Sequence, residues 1–531
     1  MSEQMPSDIV AYHQRTKHAA HRYALGPAFL DWDSQPDPFR GYDGARRVAL
    51  PLGLERPTPA FADLDAGMPP APLDAAGLGL FLELALGLSA WKEAGEARWA
   101  LRNNPSSGNL HPTEGWVVLP ALAGIGQAPA LYHYAPLVNG LEERCRLECL
   151  PAVLPPGGFL MAWSSIPWRE AWKYGERAFR YCQHDAGHAV AAAAYAAACL
   201  GWRLRVLSLP GDDVLGHLLG LDRPEAQHRH ETEHPDLIAV VSPRPMDEVA
   251  LVPAAGEWFG RANALGGDHM PWPAVEAALA LSHRPEGVVP PPLTGLLQPD
   301  LPASVEPTSA VIRNRRSAQR MDGKTTLPLA AFIRMLVRTL PDPARVPWSA
   351  FAWPARLSLM AFVHRVEGLE PGLYALIRDP AALDRLKAAM ESDFEWAELP
   401  DCPVPLYRLM IGDMRQMASH LSCLQGIAGH GAFSLGMLAD FDRTLAEEGA
   451  WAYRRLFWEA GMIGQVLYLE ATAAGIAGTG IGCYFDDGVH DLLGLPAGGG
   501  GWQSLYHFTV GGAIEDERIA TRPAYAHLTG E

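Results

Sequence analysis

Two stretches of this chain repeat each other at a fixed interval, and no other feature limits its architecture as strongly. Gly187 and Gly464 stand 277 positions apart, as do Gly201 and Gly478, marking the middle and the end of two helix-forming runs. Before them, Ala171-Trp172-Lys173-Tyr174 answers Ala450-Trp451-Ala452-Tyr453 at an interval of 279, a slip that a loop absorbs. Farther upstream, Leu131-Tyr132 answers Leu373-Tyr374. Matches kept in one order imply a tandem duplication, the first possibility to test in a long chain. Between the copies, Arg284 to Pro307 carries seven prolines. Proline lacks a backbone N–H and excludes helix, so this stretch reads as a semi-extended spacer. The expected division is a first domain over 1–280, a Pro-rich linker over 281–310 and a second domain over 311–531. At 531 residues the chain is too long for one core, in agreement with that division.

Within each copy, helical and strand signals are mixed. Ala189 to Leu200 is strongly helix-forming, whereas Gly115–Leu119 and Leu237–Val241 read as short buried strands. Strands are few and separated by long helical stretches, which favours an α+β layered fold. A net charge of −17 repels phosphate backbones, so nucleic acid is excluded as a partner and any phosphate needs a local basic pocket. The seven cysteines contain no CxxC pair, and Cys145 and Cys149 have no second pair to complete a zinc site. Such sparse thiols suit a reducing compartment. The N-terminal MSEQMPSDIVAYHQRTK has no apolar core for a signal peptide, and no apolar run reaches membrane-spanning length. The expectation is a cytoplasmic protein without a membrane partner.

Three segments carry chemistry. Arg102 to Pro112 reads R-N-N-P-S-S-G-N-L-H-P, a tight polar turn rich in donors, placed at a helix–loop–strand junction where ligands are often held. A plain surface turn is the alternative. Arg313 to Arg320 reads R-N-R-R-S-A-Q-R, with four arginines and a serine in an acidic chain. Guanidinium groups grip phosphate bidentately and a hydroxyl adds a donor; a solvated basic helix start is the alternative. Gly478 to Asp487 reads G-T-G-I-G-C-Y-F-D-D, lying between two helices, with alternate glycines that let a backbone approach a flat ligand. It is not the dinucleotide fingerprint, since its glycine order differs and no strand precedes it. Arg518 and Arg522 add positive charge after the strand-like Leu505 to Gly512.

Two decoys are set aside. His230 to His234 spells HExxH, but Pro235 follows at once and helical periodicity is missing, so the metalloprotease geometry fails. His184 and His188 share a helix face with Asp185 between them, more naturally a hydrogen-bonded cluster than a metal site. No metal is expected.

These residues resemble the FMN-dependent nitroreductase superfamily and, within it, the SagB/ThcOx-type dehydrogenases. The resemblance rests on Pro105 to Glu114 (PSSGNLHPTE), on Trp172 to His188 (the KYxxRxxRxxxxDxGH pattern), and on Arg315-Arg316-Ser317 with the G-T-G-I-G segment. It implies a layered α/β/α domain with a central, mainly antiparallel sheet. It also implies that the two copies pair as an intramolecular pseudo-dimer, complete as a monomer. In that family two subunits build each flavin site. Carried over, the first half supplies Arg102 and Pro105, Ser106, Ser107, Gly108 and Asn109. The second supplies Arg315, Arg316, Ser317, Gln319, Gly480, Ile481, Gly482 and Arg518. Gln319 departs from the family, which places a basic residue there; here Arg320 is next door. The resemblance further implies hydride transfer at flavin N5, with Lys173 and Tyr174 as an acid–base pair. A surface lysine and a packing tyrosine remain the alternative.

The mirror site is expected to be broken. Trp353 to Met360 stands at the second half's PSxxN position, and the first half opens with Tyr12 to Lys17 in place of RRS. The functional expectation is an FMN oxidoreductase acting on a small molecule or peptide, with NAD(P)H as a candidate reductant. NAD(P)H-dependent nitroreduction and azoline-type dehydrogenation both stay open, and a non-catalytic flavin binder is the alternative.

Overall fold

A computed structural model describes residues 5–52, 56–228, 231–246, 248–253, 255–267, 270–291, 295–351 and 353–529. The first half is built on β3 (Thr113–Leu119), β4 (Ala130–Ala135), β5 (Gly140–Leu147), β6 (Phe159–Ser165), β7 (Arg203–Val206) and β8 (His234–Ser242). A hairpin of β1 (Leu88–Ala94) and β2 (Ala97–Arg102) precedes them. The second half is built on β9 (Leu357–Val363), β10 (Gly372–Leu376), β11 (Leu406–Ile411), β12 (Phe433–Asp440), β13 (Ala477–Ile481) and β14 (Trp502–Gly511), followed by β15 (Ala520–Arg522). The first sheet runs β5-β4-β3-β6-β8-β7 and the second runs β11-β10-β9-β12-β14-β13. The two orders are the same, and every ladder within them is antiparallel. Leu131-Tyr132 in β4 and Leu373-Tyr374 in β10 hold equivalent places.

The helices that matter are α1 (Ala75–Leu86), α2 (Pro167–Tyr174), α3 (Ala178–Ala198), α4 (Asp212–Leu219), α5 (Thr308–Asn314), α6 (Leu329–Arg338), α7 (Ala452–Ala473) and α8 (Asp486–Leu493). Every residue of α3 is buried and α7 is nearly so, their charged and polar residues included. They cross in direct backbone contact. A Cβ on Gly187 would overlap the Trp458 carbonyl, and one on Gly461 would overlap the His184 carbonyl and lie 3.0 Å from Gly187 Cα. Alanine and glycine permit that approach, and larger residues would hold the helices apart.

Each half is also clamped to the other by a buried charge pair. Arg177 and Arg180 of the first half reach Asp486, the first residue of α8, at 3.1 and 2.8 Å. Arg454 of the second half reaches Asp212, the first residue of α4, at 2.5 Å. The carboxylates sit where the helix dipole favours negative charge. Arg177 and Arg454 keep the 277-residue interval of the glycine pairs. The two-residue slip is thus located at Gly175-Glu176, where Gly175 takes φ 54° and breaks the chain between α2 and α3.

Several expectations need correction. Strands are numerous rather than few, because many short ones alternate with turns. Residues before the PSSGN segment form the β1–β2 hairpin, not a helix. The Pro-rich stretch is packed along the second half: Gln298 N–H donates to Asp342 and its amide to Leu340 O at 2.7 Å. α5 begins at Thr308, inside the expected linker. The termini are exchanged, since β15 pairs with β1 of the first half while Lys17 reaches Asp487 at 2.8 Å. No helix among the described residues is long and apolar enough to cross a membrane.

Candidate functional site

A cavity of about 530 Å³ opens where the halves meet, within the size range of cofactor pockets. It is lined by the Pro105–Asn109 loop, by Arg102, by Arg315 to Gln319, and by Ala477, Thr479 and Gly480 to Cys483. α3 contributes Tyr181, Asp185 and His188; Tyr468 of α7 and Tyr506 of β14 complete the wall.

The loop holds an unusual backbone. Gly108, Asn109 and His111 all have positive φ, between 52° and 60°. Asparagine tolerates this conformation better than most side chains, histidine less so, and such strain persists only where surroundings impose it. Here Asp185 accepts from Ser107 N–H and from Ser107 Oγ, both at 3.1 Å. Ser106 Oγ accepts from His111 N–H at 2.8 Å, and Asn109 Nδ2 donates to Ala100 O at 2.9 Å. A Cβ at position 108 would lie 2.6 Å from the Tyr174 hydroxyl, which explains the glycine.

Opposite the loop, Arg315 is buried. Its Nε donates to Asn103 O at 2.8 Å and one terminal nitrogen donates to Arg102 O at 2.9 Å. Its other terminal nitrogen has no hydrogen-bond partner among the described residues. Burial lowers both Arg315 and Arg102 to about 10, so both remain cations at neutral pH. Arg316 folds back on its own segment, donating to Arg313 O and Arg315 O, and also to Ser89 O at 3.0 Å. Ser317 Oγ and the Tyr468 hydroxyl are 2.8 Å apart, and Gly480 N–H donates to that hydroxyl at 2.9 Å. Gln319 is exposed at the rim.

The glycine segment is a strand edge, not a loop, and its glycines serve a different purpose from the one expected. A Cβ at Gly478 would lie 2.8 Å from the Phe508 ring; at Gly480 it would overlap the Tyr506 hydroxyl, and at Gly482 the Tyr181 ring. The glycines make room for aromatic rings, and two of these, Tyr506 and Tyr181, line the cavity with the strand backbone.

Two expected residues lie off the cavity lining. Arg518 sits on an exposed turn and forks onto Asp516, which lines the cavity, at 2.6 and 2.9 Å. Arg522 likewise pairs with Glu93. Lys173 stands beside Trp32 and Tyr174, its ammonium 5.9 and 5.5 Å from their rings, and only Tyr174 lines the cavity. The last helical turn points the two neighbouring side chains in different directions. Lys92 is the basic residue that sequence reasoning missed. It lines the cavity and donates to Thr521 Oγ1 at 2.6 Å. It lies in a hairpin strand with no motif around it. Tyr468 and Tyr506 were missed as well, each carrying no motif, whereas His188 closes the motif at Trp172 to His188 and reads from sequence only as part of a hydrogen-bonded cluster.

The decoys resolve separately. His230 lies outside the described residues, and His234 opens strand β8 rather than facing a helical partner. His188 meets Gln465 and the Tyr506 hydroxyl, while His184 meets Leu505 O at 3.0 Å. Burial holds both imidazoles far below their usual range, hence neutral. No group of metal-ligating side chains occurs among the described residues.

Trp353, Trp451 and Trp458 are buried together with centroid separations of 6.0 to 6.5 Å. Ala71 N–H donates to Leu200 O near the end of the first long helix, and Ala318 N–H donates to Gly478 O beyond the end of the second. Arg15 and Lys17 bind Glu176 and Asp487.

Residues 312–512 match the Nitroreductase family. No curated protein matches the chain. Among solved structures, one assigned as a nitroreductase from Anabaena variabilis ATCC 29413 is 20% identical. It covers 96% of this chain and 100% of its own, with a TM-score of 0.69. Another so assigned, from Ralstonia eutropha JMP134, is 17% identical over 44% of this chain and 97% of its own, with a TM-score of 0.28. The E. coli microcin synthetase McbBCD complex with truncated pro-MccB17 bound is 19% identical over 42% of this chain and 79% of that one, with a TM-score of 0.29. The chain therefore carries a nitroreductase-family domain in its second half. Across both halves it has the α+β fold of the Anabaena protein.

Proposed function

We propose that this chain is an FMN-dependent oxidoreductase with one composite flavin site between domains spanning 1–280 and 311–531, joined through 281–310 and descended from a tandem duplication. The observation that carries this reading is Arg315: a buried cation with a free terminal nitrogen in the cavity wall, facing a loop strained and pinned by the other half. A buried guanidinium with an unused donor is costly unless an anion takes it. Arg315, Ser317 and Lys92 would hold the phosphate, and a mononucleotide suits one compact basic cluster. Arg102, the Ser106–Asn109 loop and the Gly480–Gly482 edge would hold the rest of the cofactor. FMN, when bound, supplies hydride transfer at N5.

This chain's own residues supply the setting. Burial, with Glu170 next, raises Tyr174 well above the usual phenol range, so its hydroxyl stays a hydrogen-bond donor at the cavity. Lys173, outside the lining, acts through Tyr174 if at all. A small molecule or a peptide is the substrate class, and NAD(P)H the reductant. Chromatography of the released cofactor tests the core of this reading, and FAD or no flavin overturns it. Anaerobic mixing with NAD(P)H then tests turnover, with flavin bleaching as the expected result.

A further inference from the structure

Behind the pinned loop lies a carboxyl group that nothing satisfies. Glu170 of α2 is 0% exposed, and neither of its oxygens has a hydrogen-bond partner among the described residues. A lone buried carboxylate is so unfavourable that such a group keeps its proton. Burial, with Asp185 next, pushes Glu170 well above the carboxylate range, against weaker help from Lys173 and Arg169. Asp185 on α3 is itself 1% exposed, lines the cavity and has no ion pair among the described residues. Its neighbours are Glu170 and Tyr174 from α2, Cys182 on its own helix, Tyr506 from β14, and the hydroxyls of Ser106 and Ser107. No cation stands among them to fix it as a carboxylate.

We propose that Asp185 is the proton donor of this cavity, and that Glu170 behind it is kept as a neutral acid that prevents a second charge from forming there. The inference rests on the oxidoreductase reading above. A substrate that gains a hydride must also gain a proton to give a neutral product. Asp185 breaks its carboxyl O–H bond and passes the proton to the substrate's oxygen or nitrogen. The carboxylate left behind keeps the two Ser107 donors that already hold it at 3.1 Å. Solvent returns the proton between turnovers. Burial lifts Asp185 to about 7 against the lowering effect of Ser106 and Ser107, so it can both give and retake a proton near neutrality. Glu170 is a positioning residue, since it acts only through the charge it does not carry.

Infrared spectroscopy of the purified protein across pH tests the protonation states without turnover. The expected result is two protonated-carboxyl bands. One titrates near neutrality and disappears in Asp185→Asn; the other persists across pH and disappears in Glu170→Gln. If the titrating band survives in D185N, the proposal is overturned. Reoxidation of the reduced protein by a nitroarene or quinone supplies the second readout. D185N should lose at least tenfold in rate and its dependence on a neutral-range group, while E170Q, neutral like the native acid, should retain both. Unchanged rate and pH profile in D185N would also overturn the proposal. A wild type that is never reduced fails the oxidoreductase reading, whereas the infrared bands still decide the proton on Asp185.

Discussion

His188 and Gln465 are hydrogen-bonded across the junction of the two halves at 3.4 Å, and they stand 277 residues apart in the chain. That interval also separates Gly187 from Gly464 and Arg177 from Arg454, so each of these two residues touches its own counterpart. Only residues on the axis relating the copies can do so. The histidine side of this pair lines the cavity, and the glutamine side does not. Divergence of the halves is therefore visible at the axis itself.

The crossing of α3 and α7 gives the first prediction. Gly187→Ala and Gly461→Ala each place a methyl against a carbonyl of the opposite helix, which cannot move without shifting the helix. Over-packing of this kind costs about 1–3 kcal/mol. Denaturant titration should show each variant less stable, and bound flavin should fall with it, since the cavity floor rides on these helices.

Much of this crossing was legible before any coordinates, and the reason is physical. Gly187 answers a close backbone, the Trp458 carbonyl, while Gly464 at the 277 interval makes room for the His188 ring, so tight packing kept glycine in both copies for two different neighbours. The clamps were not legible: Arg177 and Arg454 share the interval, but their partners Asp486 and Asp212 lie on other helices, and ion pairing leaves no periodic trace. Arg518 misled because charge near the C-terminus says nothing about a nearby Asp516 that absorbs it. Lys92 was invisible because a strand residue gains its role from the sheet it joins. The glycines of residues 478–482 line the cavity in part, and their second role, making room for Phe508, Tyr506 and Tyr181, was not legible because a sequence does not reveal where an aromatic ring will lie.

The clamps yield a second prediction. Removing one partner of a buried pair leaves an uncompensated charge, at a cost of about 3–5 kcal/mol. Arg454→Ala should destabilise the protein by that order, and Arg177→Ala by less, because Asp486 keeps Arg180 at 2.8 Å. Arg177 also donates to Gly482 O at 3.2 Å, so R177A alone should weaken flavin binding beyond its effect on stability. Comparing flavin affinity at matched fractions folded separates the two effects. Equal affinity in the two variants would count against that role of Arg177.

A third prediction concerns acid. Burial holds His188 and His507 to about 3 and His234 to about 4 in the folded protein, against roughly 6.5 when unfolded. A folded-state value below the unfolded one contributes stability that is complete above the unfolded value. That stability is lost as pH falls from about 6.5 toward the folded values. The melting temperature should thus begin to drop below about pH 6.5, before most carboxylates titrate. His188→Gln should flatten part of that decline; an unchanged slope would argue that His188 is charged when folded.

The fourth prediction is the number of flavins. A site of this design takes parts from both halves, so two halves offer two positions. At one, Arg315 presents a free donor, Ser317 and Lys92 stand by, and the 106–109 loop leaves room. At the other, Trp353 to Met360 stands in place of a small polar loop, and Arg15 and Lys17 are engaged by Glu176 and Asp487. Trp353 packs there against Trp451 and Trp458, and opening a pocket beside them would expose three large buried rings. A phosphate carrying nearly two charges cannot be buried there without partners. One FMN per chain is expected, measured as released flavin absorbance against protein concentration, and a ratio near two would refute it. Arg315→Ala with Ser317→Ala should bring the ratio close to zero, because charge-assisted hydrogen bonds contribute about 1.5–3 kcal/mol each and the mirror position offers no substitute. Retention of FMN in that double variant, with its fold intact by circular dichroism, would move the phosphate elsewhere in the cavity, to Lys92 and Arg102.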